Sequence, residues 1–427
     1  MPDTKRLEVE NQKLQSAINE LSILNDIATA ISSTQSVENV INQIIYKCIW
    51  HLHVEEAAIS LLDQIEEDQK FHTMIRRQDH THQRVPFKLD DRVTGWMIKN
   101  QKPLLINNTH EDDLFRFFKK DELSYKAILC VPLMLKGKLT GYLAVFNKKN
   151  DEKFTTEDQK LLSIIASQSV QVIENARLYE EEKILARLRE EMRLAYEIQL
   201  NLLPKKLPQI VGFEFVATSI PAEDVGGDYY DFIQLENGEF GFCVGDVTGK
   251  GMPAAMLMAN LQATLRSQVL TGNFCAECLE NVNKLLFRST EPTKFATLFY
   301  GILDPLTGSI TYANGRHDSP ILIKKGHPPV MLDATGLLLG VMENVLYKQS
   351  NVVLETGDIL MLYTDGITES MNIKMEELGL KALLSTLEKY QNDSADNILD
   401  KVKERIRQHA GNVPQSDDIT LMIIKKT

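Results

Sequence analysis

The sequence predicts an α+β protein in which two sheet-and-helix domains are joined by one long helix. Three observations carry this. Short apolar runs separated by Gly, Asn or Lys turns recur between 57 and 147 and again between 213 and 425, as in antiparallel sheets. After Phe154 the period becomes that of a helix and holds for ~45 residues, about 70 Å, too long to be buried in one small domain. The chain has 427 residues, more than one ordinary core accommodates.

The elements follow in order. In residues 1–21, Leu7, Leu14, Ile18 and Leu21 fall on a heptad seam with Asn11, the polar residue that fixes register in two-stranded coils. In 22–176, an amphipathic helix is expected over 36–52 and strands over 57–62, 103–107, 127–135 and 139–147, with a hairpin turning at Lys136-Gly137-Lys138. In 177–204, Leu178, Leu185, Leu188, Met192, Ala195 and Leu202 keep a 3-4 spacing between charged positions. This reads as a linker helix that pairs with its copy in a homodimer, and Pro204 and Pro208 stop it. In 205–427, strands are expected at 213–218, 230–235, 240–247, 297–303, 309–312, 321–324, 359–363 and 419–425, and helices at 253–269, 275–288 and 394–409. Many antiparallel strands with grouped helices imply an α+β sandwich.

Composition narrows the function. A charged fraction of 25% and an apolar fraction of 43% are those of a folded chain. The formal charge of −12 argues against nucleic acid as the main partner. No apolar run approaches the ~20 residues of a membrane span, and the first residues lack the apolar segment of a signal peptide, so a cytoplasmic protein is expected. Five cysteines make no disulfide framework, and Cys275 and Cys278 lack a second pair or a nearby histidine for zinc. None is followed by arginine six residues on, which disfavours a cysteine nucleophile of the phosphatase kind.

The chemistry-bearing pattern is acidic. Asp228 in VGGDYYD, Asp246 in GDVTGKG, Asp365 in YTDG and Asp417 in SDDIT each stand in a turn beside an apolar strand. Carboxylates at several strand ends are what Mg²⁺ or Mn²⁺ requires, and converging acids without a cation would repel one another. GDVTGKG is no nucleotide-binding P-loop: three residues, not four, separate its first two glycines, and Gly251 follows Lys250. The Val247 carbonyl beside Asp246 is a further candidate ligand. Asp417 and Asp418 would point to opposite faces of an extended segment, which favours Asp417 at the centre.

The segments VGGDYYDF, CVGDVTGKGMPAAMLM, KFATLFYGILDPLTGSITYANGRHDSPIL, GDILMLYTDGITES and SDDITLMII resemble the SpoIIE/RsbU-type serine phosphatases, a branch of the metal-dependent type 2C (PPM) phosphatases. The resemblance implies a PPM-type α-β-β-α sandwich and hydrolysis of phosphoserine or phosphothreonine through a water activated by two Mn²⁺ or Mg²⁺ ions. It assigns catalysis to Asp228 and Asp246, and metal binding to Asp228, Asp246, Val247, Asp365, Asp417 and Asp418. Its implied substrate is a phosphorylated STAS-domain anti-sigma-factor antagonist. Arg316 and His317 stand where the family has Gly-His; His317 either assists the leaving seryl oxygen or stabilises a turn.

Residues 22–176 resemble a GAF sensor domain through VTGWMIKNQKPLLINN, ILCVPLMLKGKLTGYLAVFNKKN and KFTTEDQKLLSIIASQSVQVIENARL. Asn147, Lys148, Phe154 and Asp158 are similar to the signature of cyclic-nucleotide-binding GAF domains, with Gln159 in place of its final Glu. The sensor ligand is a small molecule the sequence does not identify, and His51 and His53 lack a third metal ligand nearby. The leading expectation is a GAF-regulated phosphatase; the alternatives are a catalytically inactive scaffold and a cyclic-nucleotide-binding module.

Overall fold

The computed structural model describes residues 36–62, 71–77, 91–115, 125–236, 238–271, 274–291 and 293–427. The seam expected at Leu7, Asn11, Leu14, Ile18 and Leu21 lies outside the described residues. The chain divides into two compact units between Arg187 and Leu188. Among the described residues, no helix is long and apolar enough to cross a membrane.

The first unit begins with α1 (Val37–Leu52), which Ser36 caps by accepting the Asn39 N–H and which ends at His53 in a left-handed conformation. Then come β1 (Val54–Leu62), β2 (Phe71–Arg77), α2 (Asp91–Asn100), β3 (Leu104–Ile106), β4 (Ile128–Leu135) and β5 (Lys138–Lys148). The strands form one antiparallel sheet in the order β2-β1-β5-β4-β3. Strand β2 is not foreseen in the sequence, because a histidine and two arginines dilute its apolar run. The β4–β5 turn is two residues, Lys136 and Gly137, both at positive φ. That conformation matches the twist of the flanking strands.

Alternation along β4 and β5 sorts this core into two layers. Leu129, Val131, Leu143 and Val145 pack against Ile41, Ile45 and Cys48 of α1 and against Leu162 and Ile165 of α3 (Thr156–Leu202). Ile128, Cys130, Tyr142 and Ala144 face Val93 and Met97 of α2. Helix α3 runs for 47 residues and ends before Pro204. Its seam positions Leu178, Leu185 and Leu188 are about half exposed.

The second unit continues with β6 (Phe213–Ile220), β7 (Tyr229–Gln234), β8 (Phe240–Val247), α4 (Gly251–Val269), α5 (Cys275–Ser289), β9 (Ala296–Asp304), β10 (Ser309–Gly315), β11 (Ile321–Ile323) and β12 (Val330–Met331). It closes with β13 (Ser350–Val353), β14 (Ile359–Tyr363), the single turn α6 (Asp365–Thr368), α7 (Gly379–Tyr390), α8 (Ala395–Ala410) and β15 (Ile419–Lys426). Two five-stranded antiparallel sheets, β13-β10-β9-β8-β7 and β12-β11-β14-β15-β6, result. Phe242, Val244, Phe299, Leu360, Leu362, Met422 and Ile424 fill the space between them. The outer face of the first sheet packs on α4 and α5, and that of the second on α7 and α8, giving four layers, α-β-β-α.

Candidate metal centre

The period of two that builds the sandwich also places its acids. Phe242 and Val244 of β8 face between the sheets, and the next residue of that parity is Asp246 at the strand end. The same alternation carries Tyr230 and Phe232 of β7 to Asp228, Leu360 and Leu362 of β14 to Thr364, and Ile424 and Met422 of β15 through Thr420 to Asp418. The inner face thus turns from apolar to polar at one edge of each sheet.

Hydrogen bonds bring the two edges together. The Thr364 hydroxyl donates to Asp228 Oδ2 at 2.8 Å and accepts the Thr420 N–H at 2.9 Å. Asp418 accepts the Ala222 N–H at 2.7 Å on one oxygen and the Gly227 and Asp228 N–H groups, at 2.5 and 3.4 Å, on the other. These bonds occupy Asp418 in clamping the 222–228 loop. Asp417 turns to Lys250, whose Nζ lies 3.1 Å from Asp417 Oδ2 and also donates to the Ser416 carbonyl. Of the adjacent pair, Asp417 is the one left to face the mouth.

Two glycines make room. A Cβ on Gly226 would lie 2.4 Å from Asp418 Oδ2, and one on Gly227 would lie 3.1 Å from the Val247 carbonyl oxygen, so the backbone passes where no side chain fits. Gly226 is held from a third direction: Gln199 near the end of α3 donates to its carbonyl at 2.6 Å and accepts its N–H at 3.1 Å.

The electrostatics are those of crowded like charges. Burial, then the Asp246 charge, hold the Asp228 carboxyl well above the usual carboxylate range, against hydrogen bonds from Thr420 and Thr364. Asp246 is pushed up to about 7 by burial, then by Asp365, Asp417 and Asp418. Asp365 is raised by burial and by Asp417, offset in part by the Gly366 N–H and Lys250. Asp318 is pushed up to about 6 by burial, then by Asp365 and Glu369. Neither Asp318 nor Glu369 is singled out by the sequence, since neither stands in a glycine-flanked turn at a strand end.

Among the described residues, no three His, Cys, Asp or Glu side chains close around one point as in a filled metal site. The acids instead act on one another through space. Carboxylates in excess over cations, a main-chain carbonyl and glycines that leave room suit hard divalent cations with bound waters. Asp228, Asp246, Val247, Asp365 and Asp417 are the donors such ions would take.

Other candidates lie elsewhere. His317 is buried, its Nδ1 lies 2.9 Å from the Thr297 hydroxyl, and its N–H donates to Asn314 Oδ1. Burial pushes its pKa down to about 4, against a main-chain hydrogen bond with Tyr363, holding the ring neutral. Arg316 is exposed at φ 57°, the left-handed conformation that favours glycine. Asp231, the second acid of VGGDYYD, has the other parity; it is fully buried and paired through both oxygens with Arg266 at 2.7 and 3.1 Å. Cys275 and Cys278 pack in the core beneath α5, as helix packing predicts.

In the first unit, Asn147, Lys148, Phe154 and Asp158 come together but engage the protein itself. Asn147 Oδ1 accepts the Lys126 and Ala127 N–H groups, and its amide donates to Glu55. Lys148 pairs with Asp158 at 2.9 Å, with 14% and 13% of their side chains exposed. Phe154 exchanges two main-chain hydrogen bonds with the Asn107 amide, and Asp158 caps α3 by accepting the Thr155 N–H. The set ties β5 to the start of α3.

Comparison with known proteins agrees with this division. Residues 236–427 match the family model for stage II sporulation protein E (SpoIIE), and residues 34–174 match that for the GAF domain. Asp228 precedes the matched SpoIIE range. Phosphoserine phosphatase RsbU of Bacillus subtilis is 29% identical over 242 residues, covering 56% of this chain and 71% of RsbU. Protein IcfG of Synechocystis is 29% identical over 262 residues, 55% of this chain but 41% of IcfG. Among solved structures, the SiaA-PP2C domain of Pseudomonas aeruginosa aligns with a TM-score of 0.52 at 18% identity, over 57% of this chain and 98% of that domain, a likeness of fold.

Proposed function

The chain carries a PP2C-type phosphatase domain of the SpoIIE kind behind an N-terminal GAF domain, and on that premise we propose that it is a sensor-regulated, Mn²⁺- or Mg²⁺-dependent protein serine/threonine phosphatase. The observation that supports this most is the convergence of Asp228, Asp246 and Asp365 at one mouth of the sandwich, close enough that like charges act on one another. Cations held by Asp228, Asp246, the Val247 carbonyl, Asp365 and Asp417 would make a water acidic enough to attack phosphorus and offset charge on the phosphoryl oxygens. Thr364 orients Asp228, Asp418 keeps the 222–228 loop against the centre, and Lys250 holds Asp417 in the mouth. The thiols of Cys243, Cys275 and Cys278 are buried with their pKa values raised, so no cysteine phosphoenzyme enters the scheme.

The proposed substrate is a phosphoprotein, with a phosphorylated STAS-domain antagonist of an anti-sigma factor as the class to test first. The half-exposed seam of Leu178, Leu185 and Leu188 supports a homodimer paired along α3. Gln199 offers a route for regulation. A turn or shift of α3 driven by a small-molecule sensor ligand would move Gly226, and with it Asp228 two residues on.

The deciding experiment measures phosphate release from p-nitrophenyl phosphate and a phosphorylated STAS protein by the purified chain with Mn²⁺, Mg²⁺ or EDTA. Turnover that needs the metal and is lost in Asp246→Asn is expected. Metal-independent turnover, or none under any condition, sinks the assignment. Gln199→Ala is expected to lower turnover and blunt any ligand response; unchanged activity would remove the proposed route.

A further inference from the structure

The loops that carry Asp365 and Asp417 have a second side. Between them and the C-terminal half of α8 lies a cavity of about 260 Å³ whose wall includes Gly366 and Ser416, the chain neighbours of those two acids. Ile406 and Ile419 give it an apolar floor, and Lys403 and Arg407 are its cations. No Asp or Glu lines it, and neither cation has an ion-pair partner among the described residues, whereas Lys401 on the same helix pairs with Glu404. The shape is braced: His409 Nε2 lies 2.9 Å from the Glu376 carbonyl, tying the 371–377 hairpin to α8. In a chain of net charge −12, a cationic and apolar hollow beside an acidic mouth is an exception that needs a reason.

We infer that this cavity docks the stretch of phosphoprotein next to the phosphorylated residue, taking an apolar side chain on its floor and acidic side chains against Lys403 and Arg407. The inference rests on the phosphatase reading of the adjacent centre. Gly366 and Ser416 are each one Cα–Cα step of about 3.8 Å from a centre acid. A peptide whose phosphoseryl group enters the mouth therefore lays its neighbours across these loops. Acidic neighbours would be repelled by the mouth carboxylates unless a cation received them, and the two free cations stand where they land. Basic neighbours would meet Lys403 and Arg407 instead, so the hollow discriminates by repulsion as well as attraction.

The test uses the full chain and fluorescein-labelled phosphoserine peptides that carry leucine with acidic neighbours, leucine with lysine neighbours, or serine in place of leucine with acidic neighbours. Anisotropy without added metal reads binding, and kcat/KM with Mn²⁺ reads turnover. The first peptide is expected to bind about tenfold more tightly than the other two. The Lys403→Ala/Arg407→Ala variant is expected to lose that preference with its melting temperature and p-nitrophenyl phosphate turnover unchanged, and Arg407→Glu to shift preference toward the lysine peptide. Equal binding of all three by the wild type, persistence of the preference in the double variant, or equal binding of a single-stranded DNA oligonucleotide overturns the docking site. Preference without hydrolysis of any substrate supports the docking site and overturns the phosphatase reading; hydrolysis without preference does the reverse.

Discussion

The two units use partly buried polar side chains in opposite ways. Around Lys148 and Asp158 every charge meets its complement: the pair closes at 2.9 Å, Asp158 also caps a helix, and Asn147 completes the edge of the sheet. Around Asp246 the neighbours share its sign, and burial with Asp365, Asp417 and Asp418 lifts it to about 7. A polar cluster that satisfies itself serves the fold. One that the fold holds together against its own repulsion is a candidate site for a cation.

The largest expected effect breaks the second cluster. Asp246→Asn should lower turnover of a small phosphoester by about 10²-fold or more, while the melting temperature of the metal-free chain holds or rises because a repelling charge has gone. A fall in melting temperature would put Asp246 in the same class as Asp158. The next breaks the first cluster. Asp158→Asn leaves the partly buried Lys148 beside a neutral amide, with only the more distant Glu152 as a partner, and should destabilise the first unit by about 1–2 kcal/mol in urea unfolding, with turnover of the small phosphoester unchanged.

Gly226→Ala sharpens the contrast by adding one methyl where Asp418 lies 2.4 Å from the new carbon. About 1–3 kcal/mol of destabilisation is expected, with lowered turnover, because the loop carrying Asp228 must move. The last prediction concerns His317, buried and neutral with its pKa near 4. As pH falls from about 6.5 to 4, the unfolded chain takes up a proton that the folded chain refuses, so stability drops by at most ~1.4 kcal/mol per pH unit and levels off below about 4. His317→Gln should flatten that slope in urea titrations across this range.

Much of this was legible in the residues themselves. The apolar runs 127–135 and 139–147 predict a strand pair and its turn in the first sheet, and Asp228, Asp246, Asp365 and Asp417 stand out as acids in turns at strand ends. The division of labour between Asp417 and Asp418 is only suggested by parity. It becomes visible when Ala222 and Gly227, almost two hundred residues earlier, present their N–H groups to Asp418. Asp231 shares a motif with Asp228 but serves the fold, since Arg266, on a helix 35 residues away, neutralises it. Gln199 carries no local signal, because a glutamine on a charged helix is ordinary and only the folded loop gives it a partner. Strand β2 and helix α7 escaped because their apolar periods are short or interrupted.

Strand β15 pairs with β14 on one side and β6 on the other, joining the latest-made strand of its sheet to the earliest. A growing polypeptide can therefore close its first sheet and pack α4 and α5 while Asp417 and Asp418 have yet to be made. Until β15 slots into place, Asp228 lacks the clamp on its loop. The pair Asp417 and Asp418 and the clamp on the 222–228 loop thus come together only when the last strand of the second sheet is in place.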